Sequence, residues 1–211
     1  SSQFEQTNNS ITAAVTSSKE YTNNAINNIQ IGGTNLFKNT KGGGVWYANN
    51  WGTGKYSLDN QFANSGNIGG QKVETVVKVT KTQNGTSDIK TASSCYSNIS
   101  KNAIKDKVIA VSFYAKADDS IDLDMTLTNP ANQGNSSAVT SKKRTISNVW
   151  DKYVIYYKVY PNPSRDGLVL FFSLSTINVN VYLALLKVEI SDKATDWSPA
   201  PEDAENALTE Y

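Results

Sequence analysis

Histidine is absent from the 211-residue chain. The commonest general base near neutral pH, which is also the commonest metal ligand, is therefore excluded. Cysteine occurs once, at Cys95, so neither an intrachain disulfide nor a thiolate metal cluster can form. With no imidazole to activate it, Cys95 reads as a small buried hydrophobe rather than a nucleophile. Neither sign of charge is in excess: 20 Lys and Arg stand against 19 Asp and Glu, a net charge of +1. Without a basic face there is no electrostatic case for a nucleic-acid partner. No apolar run approaches the roughly 18 residues of a membrane-spanning helix, so no membrane partner is expected. The chain opens on Ser1-Ser2-Gln3 with no initiator Met and no signal-peptide pattern, and it reads as a piece of a longer polypeptide.

What is present is Asn, Thr, Ser and Gly, together with 4 Trp, 11 Tyr and 6 Phe. A neutral surface rich in hydrogen-bonding groups and flat rings would suit sugars, which offer hydroxyls at their edges and C–H faces above and below. The same residues also have an ordinary use, since Asn and Gly mark turns and aromatics fill β cores.

The pattern divides the chain into three parts. Residues 1–31 carry neither Gly nor Pro and show a helical period. Phe4, Ile11, Ser18 and Ala25 form one row spaced by seven, and Asn8, Val15, Thr22 and Ile29 form a second row offset by four. Such rows resemble the core positions of a short coiled coil. A lone helix of this kind is marginal in water, so it is expected to pack against copies of itself and to stop at Gly32-Gly33. Residues 32–200 read as a β module. KVETVVKVT alternates, with Val73, Thr75, Val77 and Val79 on one face. SIDLDMTLT alternates without a break, with Ile121, Leu123, Met125 and Leu127 inward and Asp122, Asp124 and Thr126 outward. KVIAVSFYAKA, WDKYVIYYKVY, GLVLFFSLS and VNVYLALLKVEI follow the same logic, the last with a phase slip near Ala184 to Leu186 that indicates a bulge or burial on both faces. Turn signals at Asn84-Gly85, Asp118-Asp119, Gln133-Gly134-Asn135 and Arg165-Asp166-Gly167 separate the runs. Many strands without intervening helices predict an all-β, jelly-roll β-sandwich behind a short N-terminal helix. Residues 201–211 read as the start of a following helix or linker.

Candidate ligand contacts are the aromatics that the strand pattern does not bury. GGGVWYANNWGTGKY places Trp46, Tyr47, Trp51 and Tyr56 among glycines and beside Asn49 and Asn50. Glycines let backbone approach a ligand closely, rings provide stacking surfaces, and amides pair with hydroxyls. Alternatively, Trp46 and Tyr56 belong to the core and the glycines only make turns. Tyr96 and Asn98 in TASSCYSNIS are candidates for the border of the same groove. Arg165-Asp166 reads as a solvated turn. Asp122 and Asp124 lie about 6.5–7 Å apart by strand rise. That overlaps the roughly 6.5–9.5 Å carboxyl separation of inverting glycosidases. A strand face that carries charge for solubility explains them more simply, and no catalytic residue is expected.

Two stretches carry a resemblance. SQFEQTNNSITAAVTSSKEYTNNAINNIQIGGTNLFKNT resembles the linker and first strand of carbohydrate-binding modules in tail and baseplate accessory proteins of siphophages of Gram-positive bacteria, lactococcal phages among them. KVEISDKATDWSPAPED is similar to the end of the same modules, and VSFYAKA and NVWDKYVIYYKV look like the matching strands of the wider jelly-roll superfamily. The resemblance implies a non-catalytic module that binds host cell-wall polysaccharide. It also implies a virion location at the tail tip or baseplate, other tail proteins as partners, and homo-oligomers formed through the N-terminal helix. It places Trp197 in an exit loop folded back over the chain entry, where the ring caps the sandwich. Related jelly rolls often hold a structural calcium near the joined chain ends, but the acid expected after the first strand is replaced here by KNTKGGG, and no cofactor is expected. Two competing readings are a structural spacer or protein-docking domain of the baseplate, which would bury its aromatics, and a glycan hydrolase acting through Asp122.

Overall fold

The computed structural model describes residues 2–28, 33–42, 45–49, 52–91, 99–128, 136–138, 141–163 and 166–203. The chain forms two units, Ser1–Ile31 and Gly32–Tyr211. The first is the helix α1, Ser2–Asn28, which contains no helix-breaking residue. Thr7, Ser10 and Thr12 donate their hydroxyls to the carbonyls of Gln3, Gln6 and Asn8, four residues back, at 2.9 Å each. Phe4, Ile11 and Val15 are exposed, so both expected apolar rows face solvent over this stretch. The expected stop at Gly32 lies outside the described residues.

The second unit contains β1 (Trp46–Asn49), β2 (Lys55–Ala63), β3 (Asn67–Ile68), β4 (Gln71–Lys72), β5 (Thr75–Gln83), β6 (Asp88–Thr91), α2 (Lys101–Ile104), β7 (Val108–Ala117), β8 (Ile121–Thr128), β9 (Ser136–Ala138), β10 (Lys143–Ile146), β11 (Asp151–Val159), β12 (Val169–Leu174) and β13 (Asn180–Ile190). Among the described residues, a five-stranded sheet runs β1-β6-β12-β8-β10 and a six-stranded sheet runs β2-β5-β13-β7-β11-β9, with β3 and β4 as a separate hairpin. All pairings are antiparallel.

Strand period two builds the core. Leu123, Met125, Leu127, Leu170, Phe172 and Leu174 from the five-stranded sheet meet Val77, Val79, Val111, Phe113, Ile155 and Val188 from the six-stranded sheet in one cluster. The Tyr157 hydroxyl enters this core and donates to the Met125 carbonyl at 2.7 Å, and its burial pushes the phenol pKa far up. A second cluster lies on the other face of the six-stranded sheet and contains Ile68, Val73, Val76, Tyr182, Ala184 and Leu185.

Three local features depart from the sequence reading. KVETVVKVT is not one strand, because the chain breaks between β4 and β5, and Val73 joins Val76 in the second cluster instead of sharing a face with Val77. The β3–β4 hairpin that causes this was not anticipated. It turns at Gly69, whose φ is +55° and where a Cβ would come within 2.4 Å of the Tyr114 ring. One helical turn, α2, interrupts the strands. Ser100 caps it by accepting from the Asn102 amide at 3.3 Å, and its Ile104 is buried.

The phase slip in β13 is a bulge. Its register against β7 shifts between Ala184 and Lys187, and Leu185 takes a φ of +52°. The displaced amides of Leu185 and Leu186 donate to the carbonyls of Lys41 and Thr40, at 3.3 and 3.2 Å. Asn35 closes the structure around this point. Its Oδ1 accepts from the amides of Phe37 and Val188, and its Nδ2 donates to Thr40 Oγ1 and to the Leu186 and Ser198 carbonyls. The exit segment therefore does return over the entry. Trp197 Nε1 donates to Thr40 Oγ1 at 3.1 Å, while its half-buried ring packs on the second cluster, beside the six-stranded sheet. Beyond the bulge, Lys187 and Glu189 are buried and 3.6 Å apart. Both Glu189 oxygens accept from Thr195, and the Lys187 ammonium donates to Thr195 Oγ1 and the Asp196 carbonyl. Burial pulls the Lys187 pKa down, and Glu189 partly offsets it.

Asn35 serves three chain segments with one amide, so Asn35→Ala should lower unfolding stability by about 2–4 kcal/mol, with several buried backbone groups left unpaired. Urea denaturation checks this; a loss under about 0.5 kcal/mol would show that the clasp is dispensable.

Candidate functional site

The outward face of the five-stranded sheet follows from the same alternation that fills the core. Because Trp46, Ile89, Phe172 and Met125 point in, Tyr47, Lys90, Phe171 and Thr126 point out. These four fall in one row across the strands: Tyr47 pairs with Lys90, Lys90 with Phe171, and Phe171 with Thr126. Tyr47 is 38% exposed and Phe171 is half-buried. Two strand steps separate them, about 9.5 Å. The Lys90 ammonium lies 4.9 Å from the Tyr47 ring centroid. Beside this row is a depression of about 330 Å³, whose lining includes Asp88, Asp124, Thr126, Lys142, Phe171 and Ser173. Hydroxyls, carboxylates and an ammonium thus surround one aromatic ring and lie two strands from another.

The charged groups on this face are largely paired. Asp122 lies 2.9 Å from Lys143 and accepts from Thr145 Oγ1 at 2.8 Å. The hydrogen bond from Lys143, then that from Thr145, holds the Asp122 carboxyl below its ordinary range. Asp124 pairs with Lys142 at 3.1 Å. A general acid needs a carboxyl pKa shifted the opposite way from that of Asp122, and both acids stand in surface ion pairs.

The sequence-predicted residues separate by burial. Tyr47 stands on the open face. Trp46 and Tyr56 do not, and this is a correction: they are 3% and 6% exposed and leave no ring face for stacking. Trp46 meets Phe172 edge-on at 5.0 Å, because a residue next to an outward Tyr47 must point in. Tyr56 accepts from the Leu174 amide at 3.0 Å, and burial raises its pKa. The Asn49 backbone pairs with Asp88. Asn50, Trp51, Tyr96 and Asn98 lie outside the described residues, as does the Asn49 side chain. Trp150 is half-buried beside the second cluster, and Asp166 accepts from the Lys101 amide at the start of α2. Phe171 was missed, although its signal was present: of two adjacent phenylalanines in a strand, one must leave the core.

Among the described residues, no three His, Cys, Asp or Glu side chains converge on a point. Where the chain ends join, the Asn35 amide and the Lys187 ammonium make the cross-links. That donor set does not fit calcium, which takes about six to eight oxygens.

No protein-family model matches the chain, and no curated protein matches it. Solved structures do. The CBM22-1 xylan-binding domain of Paenibacillus barcinonensis Xyn10C superposes with a TM-score of 0.50 at 14% identity, covering 77% of this chain and 97% of that one. A candidate sugar binding protein from Bacteroides thetaiotaomicron gives 0.50 at 11% identity, covering 75% of this chain and 100% of that one. The fold is a jelly-roll β-sandwich. Such identities establish the fold alone. The CBM22-1-CBM22-2 tandem domain of the same Paenibacillus protein also scores 0.50, at 14% identity, covering 78% of this chain and 47% of the tandem.

Burial predicts opposite outcomes for two adjacent aromatics. Trp46→Ala should cost about 3–5 kcal/mol and Tyr47→Ala less than about 1 kcal/mol in chemical denaturation. Equal costs would contradict the assignment of Tyr47 to the open face.

Proposed function

We propose that this chain is a non-catalytic carbohydrate-binding module and that the outward face of its five-stranded sheet is the binding surface. The observation that carries the reading is the row Tyr47–Lys90–Phe171–Thr126. Two accessible rings lie there on rigid strands beside a polar depression. Rings stack on the C–H faces of a sugar, and the flanking carboxylates and hydroxyls accept and donate to its edge. Strands hold these groups without an ordering cost at the moment of binding. The jelly-roll fold, which a xylan-binding domain shares, supports the same reading.

The finer reading is that the module belongs to a phage tail or baseplate and aids adsorption to host cell-wall polysaccharide. Its support is the resemblance of the two end stretches, SQF…IGGTNL and KVEISDKATDWSPAPED, to modules of that kind. The exposed Phe4, Ile11 and Val15 of α1 supply the surface for association with other copies. Repetition would raise the avidity of sites that are individually weak.

The test is saturable binding of the labelled full chain to Gram-positive cells and to their purified wall polysaccharide. Wild type should bind, and Tyr47→Ala/Phe171→Ala should lose about five- to tenfold per ring while its thermal midpoint holds. No binding by the wild type would favour a spacer or docking domain of the baseplate. Release of reducing ends would contradict the non-catalytic reading.

A further inference from the structure

The opposite face of the sandwich, on the six-stranded sheet, carries a different chemistry. Register places Lys78 of β5 opposite Asp59 of β2 and Tyr182 of β13, and Tyr182 opposite Lys116 of β7. Asp151 of β11 pairs with Ala115, which brings Trp150 to the end of the same row. The order across the strands is therefore acid, cation, ring, cation, ring. Lys78 lies 5.0 Å from the Phe62 ring centroid. Lys116 lies 5.2 Å from Tyr182 and 5.5 Å from Trp150. Phe62 and Tyr182 are themselves in contact, 5.3 Å apart.

Both lysines are half-buried, and among the described residues neither forms an ion pair. Two acids border the row: Asp59 stands opposite Lys78, and Asp118 is hydrogen-bonded to the Tyr182 side chain. Asp59 accepts from the Gln61 amide at 2.9 Å, and Asp118 accepts from Asn180 Nδ2 at 2.6 Å. Elsewhere on this sheet Lys152 meets Asp196 at 3.0 Å and Lys187 meets Glu189 at 3.6 Å, while Lys81 donates to the Leu174 carbonyl at 2.9 Å. Ring faces attract an ammonium but do not neutralise it. Lys78 and Lys116 are thus two partly desolvated cations held in place over rings. They are two strand steps apart, about 9.5 Å at the backbone, and among the described residues no carboxylate lies within ion-pair distance of either ammonium.

We propose that this row is a second binding surface, for a polymer that carries anionic groups, in which the two ammonium groups meet successive negative charges and Phe62 and Trp150 flank the chain. The shared ligand chemistry is a phosphate or carboxylate repeated along a glycan. This surface is independent of the Tyr47 face and does not rest on it.

The test is affinity electrophoresis of the full chain through gels containing polygalacturonate or long-chain inorganic polyphosphate, with neutral dextran as the comparison. At low salt, at least one anionic polymer should retard the chain, and the retardation should fall as salt rises. Lys78→Gln/Lys116→Gln should weaken retardation at least tenfold, and Lys78→Arg/Lys116→Arg should retain most of it. Polygalacturonate acting alone assigns the site to carboxylates, polyphosphate alone to phosphates, and both together to either anion. The Gln variant should keep its thermal midpoint and any glycan binding that Tyr47→Ala removes. Failure of both polymers to retard the wild type, or equal retardation of the Gln variant, would overturn the proposal.

Discussion

The bulge at Leu185 is the constraint on which the sandwich closes. β13 sits centrally in the six-stranded sheet and is buried on both faces, so its side chains must satisfy two clusters with different phases. A regular strand cannot change phase, and one extra residue in the left-handed region does so. The cost is a pair of amides pulled off the ladder, and the entry segment meets it with the carbonyls of Thr40 and Lys41. Asn35 then bonds the entry to Leu186 within the bulge, to Val188 beyond it and to Ser198 of the exit. The two chain ends of the module are held together by the same irregularity that lets β13 be buried twice.

From that arrangement the two outward faces acquire different chemistries. On the outer face of the five-stranded sheet Tyr47 is exposed, and Asp124 and Asp122 are paired with Lys142 and Lys143. Its rings stand in an electrically balanced setting, which suits a neutral glycan. The six-stranded sheet is partly covered by the β3–β4 hairpin and the exit segment. What it leaves half-buried at the surface are Phe62, Lys78, Lys116 and Trp150, around the buried Tyr182 ring. The two faces thus differ in chemistry: ion-paired acids beside Tyr47 and Phe171 on one, and lysines held over rings on the other.

Much of this was legible because period two is a strong signal. β7, β8, β11, β12 and β13 fall where the apolar alternation puts them, and the slip at Ala184 to Leu186 was readable as a bulge. The β3–β4 hairpin was hidden because Val73 continues the alternation of β5 while belonging to another layer. Only the turn at Gly69-Gly70 marks the break. Within the site, aromatic composition pointed to the right segment but could not separate Tyr47 from Trp46. Facing is set by pairing with β6, and sequence does not show which neighbour is inward until the partner strand is known. Phe171 escaped because GLVLFFSLS is apolar almost throughout, so the alternation that turns one of Phe171 and Phe172 outward is not marked by polar residues.

The most direct test is amide chemical-shift mapping of the full chain titrated with soluble fragments of Gram-positive wall polysaccharide. The account predicts fast-exchange shifts concentrated on β1, β6 and β12, around Tyr47, Lys90, Phe171 and Ser173. Shifts confined to the chain-end clasp or to the β3–β4 hairpin, with the five-stranded sheet silent, would contradict it.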